Sequence, residues 1–163
     1  MAALIQIKGA DARDFLHRLT SANTRDMEPG TCVWACFLNP QGRVESCFML
    51  GCESGESFWM SAECTPGRPE AAALLATIDR YTFSEKIQVR DATAGITHAW
   101  ALGTSSPHRF QINDGTIRFS DSHREAVWAR EEELSAQGAR TAGPGELEAF
   151  RIDHLIPAVG HEI

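Results

Sequence analysis

Thr31-Cys32-Val33-Trp34-Ala35-Cys36-Phe37-Leu38-Asn39-Pro40-Gln41-Gly42-Arg43-Val44-Glu45-Ser46-Cys47-Phe48-Met49-Leu50 is the stretch from which the fold can be read. Thr31 to Leu38 is rich in β-branched, aromatic and other apolar residues, the composition of a strand. Asn39-Pro40-Gln41-Gly42 has the residues of a tight turn, because proline presets φ and glycine tolerates the left-handed region. Arg43 to Leu50 then returns as a second strand, so the two segments are predicted to form a hairpin. A second turn, Glu53-Ser54-Gly55-Glu56, leads to a third strand, Ser57 to Ala62. A parallel pair would need a crossover of about a dozen residues or more, and none fits between these segments. The centre of the chain therefore reads as an antiparallel meander.

Working outward, Leu4-Ile5-Gln6-Ile7 is a short strand. Gly9-Ala10-Asp11 opens a helix in which Phe15, Leu16 and Leu19 fall on one face, with Asp11 and Asp14 near its positive end. Pro69 heads an alanine- and leucine-rich helix that runs to about Tyr81, a position where proline suits the first turn. Beyond Glu85 come strands at Lys86 to Asp91 and at Ile96 to Leu102, where Ile96, His98, Trp100 and Leu102 share one parity. A Gly, Ser and Pro cluster at 103–107 breaks the pattern. Phe110 to Ile112 and Thr116 to Phe119 flank Asn113-Asp114-Gly115, and Asp-Gly is a strong hairpin signal. Ala129 to Gln137 reads as a short acidic helix stopped by Gly138. Gly145 opens a last helix, with Leu147, Phe150, Ile152 and Leu155 apolar and Pro157 ending it.

The composition, 43% hydrophobic and 23% charged in 163 residues, is that of an ordinary folded domain. Fifteen basic and 22 acidic residues leave a net charge of −7, which argues against a nucleic-acid backbone or an anionic membrane surface as the main partner. No apolar run approaches the roughly 18 residues of a membrane span. The five cysteines, at 32, 36, 47, 52 and 64, accompany no secretory signal. Reduced cysteines in the cytoplasm are the expectation. Cys32 and Cys36 would share one face of a strand, but their spacing is not the tight C-x-x-C of zinc and redox sites.

Motifs that carry chemistry are few. There is no Walker or Rossmann phosphate loop and no Gly-x-Ser-x-Gly elbow. His154 and His161 lie across a proline, where helical geometry cannot bring them together as metal ligands, and Glu131-Glu132-Glu133 reads as a solvated helix face. Trp34, Trp59, Trp100 and Trp128 are read as core packing, with a pocket for a planar ligand as the alternative.

The order of segments adds a more specific signal. Leu4 to Leu16, then Leu19-Thr20-Ser21-Ala22-Asn23, then Phe37-Leu38-Asn39-Pro40-Gln41-Gly42-Arg43-Val44 resembles the opening of the folate-binding YgfZ family, which is related to the glycine cleavage T-protein, an aminomethyltransferase. Ile78-Asp79-Arg80-Tyr81 with Val89-Arg90-Asp91 is similar to that family's next block. Phe150-Arg151-Ile152-Asp153, Ile156-Pro157 and Gly160-His161-Glu162-Ile163 are similar to the one after it. Residues 104–128 carry the least of the likeness. The resemblance implies a tetrahydrofolate-binding scaffold of intertwined antiparallel α+β domains, in a branch associated with the upkeep of iron-sulfur enzymes, including some that modify tRNA.

Three departures qualify what the resemblance implies. The family's Lys-Gly-Cys-Tyr-x-Gly-Gln-Glu signature would lie downstream of Ile163, so either a truncated product or a shortened family member is expected, and none of the five cysteines takes the signature cysteine's role. The strand after the Asn-Pro-Gln-Gly turn usually carries the aspartate on which aminomethyl transfer depends. Here Cys47 occupies that place, with Glu45 two residues earlier on the same strand face. A neutral thiol neither attracts a cation nor accepts a proton well at neutral pH. Finally, the T-protein block Arg-Leu-Glu-Ala-Gly, whose glutamate binds the pterin ring, appears as Arg151-Ile152-Asp153-His154-Leu155. Asp153 is the implied folate-binding residue, since a carboxylate can accept paired hydrogen bonds from the amino-pyrimidinone edge; the alternative is a solvated aspartate near a helix end.

The expectation is thus an α+β fold of antiparallel sheets with a few packed helices, like the folate-binding part of aminomethyltransferase. Residues 1–84 would form a first segment and 85–163 a second, intertwined with it. The function expected is tetrahydrofolate binding in iron-sulfur enzyme maintenance, with iron-sulfur proteins as clients and no catalytic or metal-ligating residue. A one-carbon transferase, or a protein-interaction module that binds no folate, are the alternatives.

Overall fold

In the computed structural model, which describes residues 2–62, 70–102, 107–136 and 145–153, the elements follow an α+β order. They are β1 (Ala3–Lys8), α1 (Ala12–Leu19), β2 (Cys32–Leu38), β3 (Val44–Ser54), β4 (Ser57–Ala62), α2 (Glu70–Tyr81) and β5 (Gln88–Asp91). After these come β6 (Thr97–Leu102), β7 (Arg109–Asn113), β8 (Thr116–Ser120), β9 (Arg124–Ala129), α3 (Glu131–Ala136) and α4 (Glu146–Asp153). A single 3₁₀ turn, Thr24–Asp26, precedes β2. The strands make two antiparallel sheets, in the orders β2-β3-β4-β1-β5 and β6-β9-β8-β7.

The meander β2-β3-β4 is built from the turns anticipated in the sequence. At the first, the Gly42 amide donates to the Asn39 carbonyl at 2.9 Å, and Asn39 Oδ1 accepts from the amides of Gln41 and Arg43. Gly42 has φ 79°, a value that L side chains reach only with strain. At the second, β3 runs further than expected, so Ser54 pairs with Ser57 and only Gly55-Glu56 turn the chain. In the second sheet Asn113 pairs with Thr116 across Asp114 (φ 48°) and Gly115 (φ 83°), the paired left-handed residues of a type I′ hairpin.

Alternation along the first sheet divides its residues between two cores. One face presents Ile5, Ile7, Phe37, Phe48, Leu50, Phe58 and Met60 to Phe15 and Leu16 of α1 and to Leu74 and Ile78 of α2. The other presents Leu4, Cys32, Met49 and Trp59 to Phe110, Phe119 and Trp128 of the second sheet. Full burial of one such aromatic or aliphatic side chain stabilises by roughly 1.5–3 kcal/mol, so both faces hold the sheet in place. Gly51 leaves room for the Phe110 ring of the second sheet: a Cβ there would lie 2.2 Å from Phe110 Cδ2. α1 is tied to the following segment by Arg13, whose guanidinium donates to the carbonyls of Thr24 and Met27 and lies over the Phe58 ring.

One part of the fold differs from the sequence reading. β9 has no counterpart in it. Arg124-Glu125-Ala126-Val127-Trp128-Ala129 consists largely of good helix formers, yet it is an inner strand of the second sheet, flanked by β6 and β8. Tertiary contacts override the local preference: Ala126 and Trp128 are buried between the sheets, and Glu125 accepts from Arg118 at 2.6 Å and from Ser120 Oγ at 2.8 Å. The acidic helix accordingly starts later, at Glu131. In α4, the apolar Ile152 is 56% exposed. Cys64, Pro69, Gly138, Leu155 and Pro157 lie outside the described residues.

Candidate functional site

The face of β2 and β3 that turns toward the second sheet carries Trp34, Cys36, Cys47 and Met49. Hairpin register sets Cys36 directly opposite Cys47, and their sulfurs are 2.9 Å apart. Both thiols are free and half-buried. Burial, and then the neighbouring Cys36 sulfur, push the Cys47 thiol up to about 12. The group at this position is therefore neutral at physiological pH and holds its proton.

Glu45 is placed differently from a simple alternation. The register passes from Phe37↔Ser46 to Leu38↔Val44, so Glu45 is the extra residue of a β-bulge, where alternation no longer dictates the face a side chain takes. Its side chain is half-buried. Cys32 shares the face of Cys36, as parity requires, but is committed to the core between the sheets. Its Sγ donates to the carbonyls of Arg109 and Ser120, each at 3.2 Å, and burial pushes the thiol up to about 12. Cys52 faces the opposite core beside Arg13, and burial raises its pKa as well. Among the described residues no group of three or more His, Cys, Asp and Glu could hold a metal ion.

Against Trp34 the part of the chain that holds the second sheet contributes a charged and aromatic group that composition alone does not reveal. Trp34 Nε1 donates to Asp121 Oδ2 at 3.2 Å, and Asp121 Oδ1 accepts from the amides of His123 and Arg124. Arg124 is 1% exposed; its guanidinium lies 3.9 Å from the centre of the Trp100 ring and 5.5 Å from that of Trp34, with Asp121 3.5 Å away. A buried guanidinium is tolerable here because a carboxylate and two π-faces surround it. His98 packs on Trp100 and Trp128, and burial together with the Arg124 charge lowers its pKa to about 4. The sequence reading misses this cluster; the spacing Asp121-x-x-Arg124 around a polar turn is the signal that could have pointed to it.

Of the four tryptophans, Trp59 and Trp128 are core residues, whereas Trp34 keeps 39% of its surface exposed. Glu131, Glu132 and Glu133 stand in the first turn of α3, where carboxylates suit the helix dipole. Asp153, the residue implied as a pterin ligand, is the last residue of α4, and its side chain is exposed. His154 and His161 lie outside the described residues. No described helix is long and apolar enough to cross a membrane.

Residues 2–111 match the GCVT N-terminal domain. Among solved structures the chain is similar to the glycine cleavage system aminomethyltransferase T from Bartonella henselae, with a TM-score of 0.68 and 12% sequence identity. That similarity covers 84% of this chain and 42% of the other, so the chain spans less than half of that enzyme's length. At this identity the likeness is one of fold. No curated protein matches the sequence.

Proposed function

This chain belongs to the GCVT N-terminal domain family, and from that premise we propose that it binds tetrahydrofolate or a related folate without transferring its one-carbon unit. The observation that carries the reading is Cys47. Aminomethyl transfer in the family depends on a carboxylate at this strand position, which attracts a protonated amine. The Cys47 thiol, pushed up to about 12, offers neither a charge nor a base at neutral pH. Tetrahydrofolate, when bound, supplies the ring nitrogens that carry one-carbon units.

The chemistry of the side chains fits binding better than turnover. The part-exposed Trp34 indole suits a planar ring, and the exposed Asp153 carboxylate suits the donor-rich edge of a pterin. The physiological setting we assign is the upkeep of iron-sulfur enzymes in the cytoplasm, with those enzymes as clients; this rests on the YgfZ-like order of segments. For segments 1–84 and 85–163 we keep the reading that they are intertwined, which β5 supports, since it lies beyond residue 84 yet pairs with β1 in the first sheet. A second reading, a folate-dependent aminomethyltransferase, draws on the likeness to the Bartonella enzyme and needs another carboxylate, for which Glu45 is the nearest in sequence.

Thermal unfolding with tetrahydrofolate or its 5-formyl derivative tests the reading. A ligand at a hundred times its dissociation constant should add roughly 2.7 kcal/mol. No shift at millimolar ligand would favour a protein-interaction module instead. At residue level, Asp153→Asn replaces one acceptor oxygen with a donor facing the ligand's own donors. Hydrogen bonds to charged groups are worth roughly 1.5–3 kcal/mol, so folate affinity should fall about tenfold to a hundredfold. Equal affinities in two folded proteins would make Asp153 a solvated residue only.

A further inference from the structure

We propose that Cys36 and Cys47 are a modification site: a dithiol that a small aliphatic disulfide of the glutathione type converts to an intrachain disulfide. The inference stands apart from the folate reading, since nothing in it requires a pterin.

The geometry is set by the backbone. The Cys36 amide donates to Ser21 Oγ at 2.9 Å, and the Cys36 carbonyl accepts from the Ser21 amide at 3.0 Å. Both backbone groups of Cys36 therefore point away from β3, which makes Cys36 and Cys47 a non-hydrogen-bonded cross-strand pair. In such pairs the Cα atoms are about 4.5 Å apart and the side chains stand closest, within the Cα range that a disulfide spans. The sulfurs, at 2.9 Å, need approach only to about 2.05 Å for a bond, a movement that side-chain torsions can supply.

Selectivity follows from burial and partners. Cys32 and Cys52 are fully buried, and their thiols donate to the carbonyls of Arg109, Ser120 and Ser54. Cys36 and Cys47 are the half-buried thiols among the described residues, and each has the other as its nearest sulfur partner. One thiol of the pair gives its proton to water, and its thiolate attacks one sulfur of the small disulfide, forming a mixed disulfide and releasing one thiolate. The other thiol then loses its proton to solvent and attacks the sulfur of the first, which expels the second thiolate. Two protein thiols are oxidised and one disulfide is reduced to two thiols. The product staples β2 to β3 one residue from the bulge, at the position where the family carries its carboxylate.

The test uses the full reduced chain incubated with oxidised glutathione, then acid quenching, alkylation and peptide mapping. Thiols titrated in denaturant should fall from five to three, one peptide pair should be joined through Cys36 and Cys47, and dithiothreitol should restore all five. In Cys36→Ser and Cys47→Ser the reaction should stop at a glutathione adduct on the remaining partner. Phenylarsine oxide, which needs two adjacent thiols, should bind the reduced chain once and the oxidised chain not at all; this reading does not depend on either variant folding. Five unreacted thiols, a bond between any other two cysteines, or a wild-type chain that stops at the adduct would each overturn the proposal.

Discussion

Two places in this protein set a tryptophan N–H on a carboxylate and an arginine over the same ring, and they differ in how much water surrounds them. One joins the two sheets: Trp34 donates to Asp121, and Arg124 lies over Trp34 and Trp100. The other stays within the first sheet: Trp59 donates to Glu53 at 2.8 Å, and Arg90 lies 5.7 Å from the Trp59 ring. In the first, Asp121 and Arg124 are 7% and 1% exposed; in the second, Glu53 and Arg90 are exposed. The same groups should therefore contribute very differently. Removing one partner of a buried ionic pair strands the other in a medium that cannot solvate it, whereas water replaces the missing partner at the surface.

The largest effect is expected from Asp121→Ala. It takes the carboxylate from beside the buried Arg124 guanidinium and removes the acceptor for the His123 and Arg124 amides. Urea unfolding at neutral pH should show a loss of about 3–5 kcal/mol. A loss below about 1 kcal/mol would mean that the buried cluster behaves like an exposed one.

The buried cluster should also respond to acid in its own window. His98 has a pKa of about 4 in the folded protein, against about 6.5 when unfolded. Between those values the unfolded chain binds a proton that the folded chain does not, so stability falls as pH drops from about 6.5 toward 4, by up to about 3 kcal/mol in all. Above about 6.5 the His98 contribution no longer changes with pH. Denaturant midpoints of wild type and His98→Gln, measured across this range, should converge or cross as the pH falls; parallel profiles would remove His98 from the account.

The smallest effect belongs to the exposed cluster. Burial pushes the Glu53 pKa up, but hydrogen bonds from Ser57, Trp59 and Gln6 and the charge of Lys8 together hold it below the usual carboxylate range. Its stabilisation is present above the ordinary carboxylate pKa and disappears as pH falls through the lowered one, a more acidic window than that of His98. Glu53→Gln should cost no more than about 1 kcal/mol at neutral pH, because the side chain is exposed. Thermal melts at neutral and strongly acidic pH check this; a penalty that persists unchanged in acid would show that charge is not what the site uses.

The site itself was only partly legible. Parity placed Cys32 and Cys36 on one strand face, and the turn at Asn39 to Gly42 made the hairpin readable, so a meeting of β2 and β3 thiols lay close to hand. The partner of Cys36 depends on register, however, and a shift by one residue would have sent Cys47 to the other face. Alternation alone puts Glu45 on the face of Cys47, and the bulge interrupts that alternation. The Asp121 and Arg124 cluster lay in the part of the chain where the family resemblance is weakest.

What the sequence by itself determined are the features that close over a few residues. The Asn39 to Gly42 and Asp114-Gly115 turns follow from left-handed backbone and amide-accepting side chains, and the two-core alternation of the meander follows from the strand period of two. Only the tertiary structure decided that β1 and β5 complete the first sheet, that Arg124 to Ala129 is a strand despite its helix-forming residues, and that Cys36 faces Cys47. In each of these cases the deciding energy comes from partners distant in sequence: a strand's pairing edge, a buried ion pair between two tryptophans, and a register set by packing on both faces of one sheet.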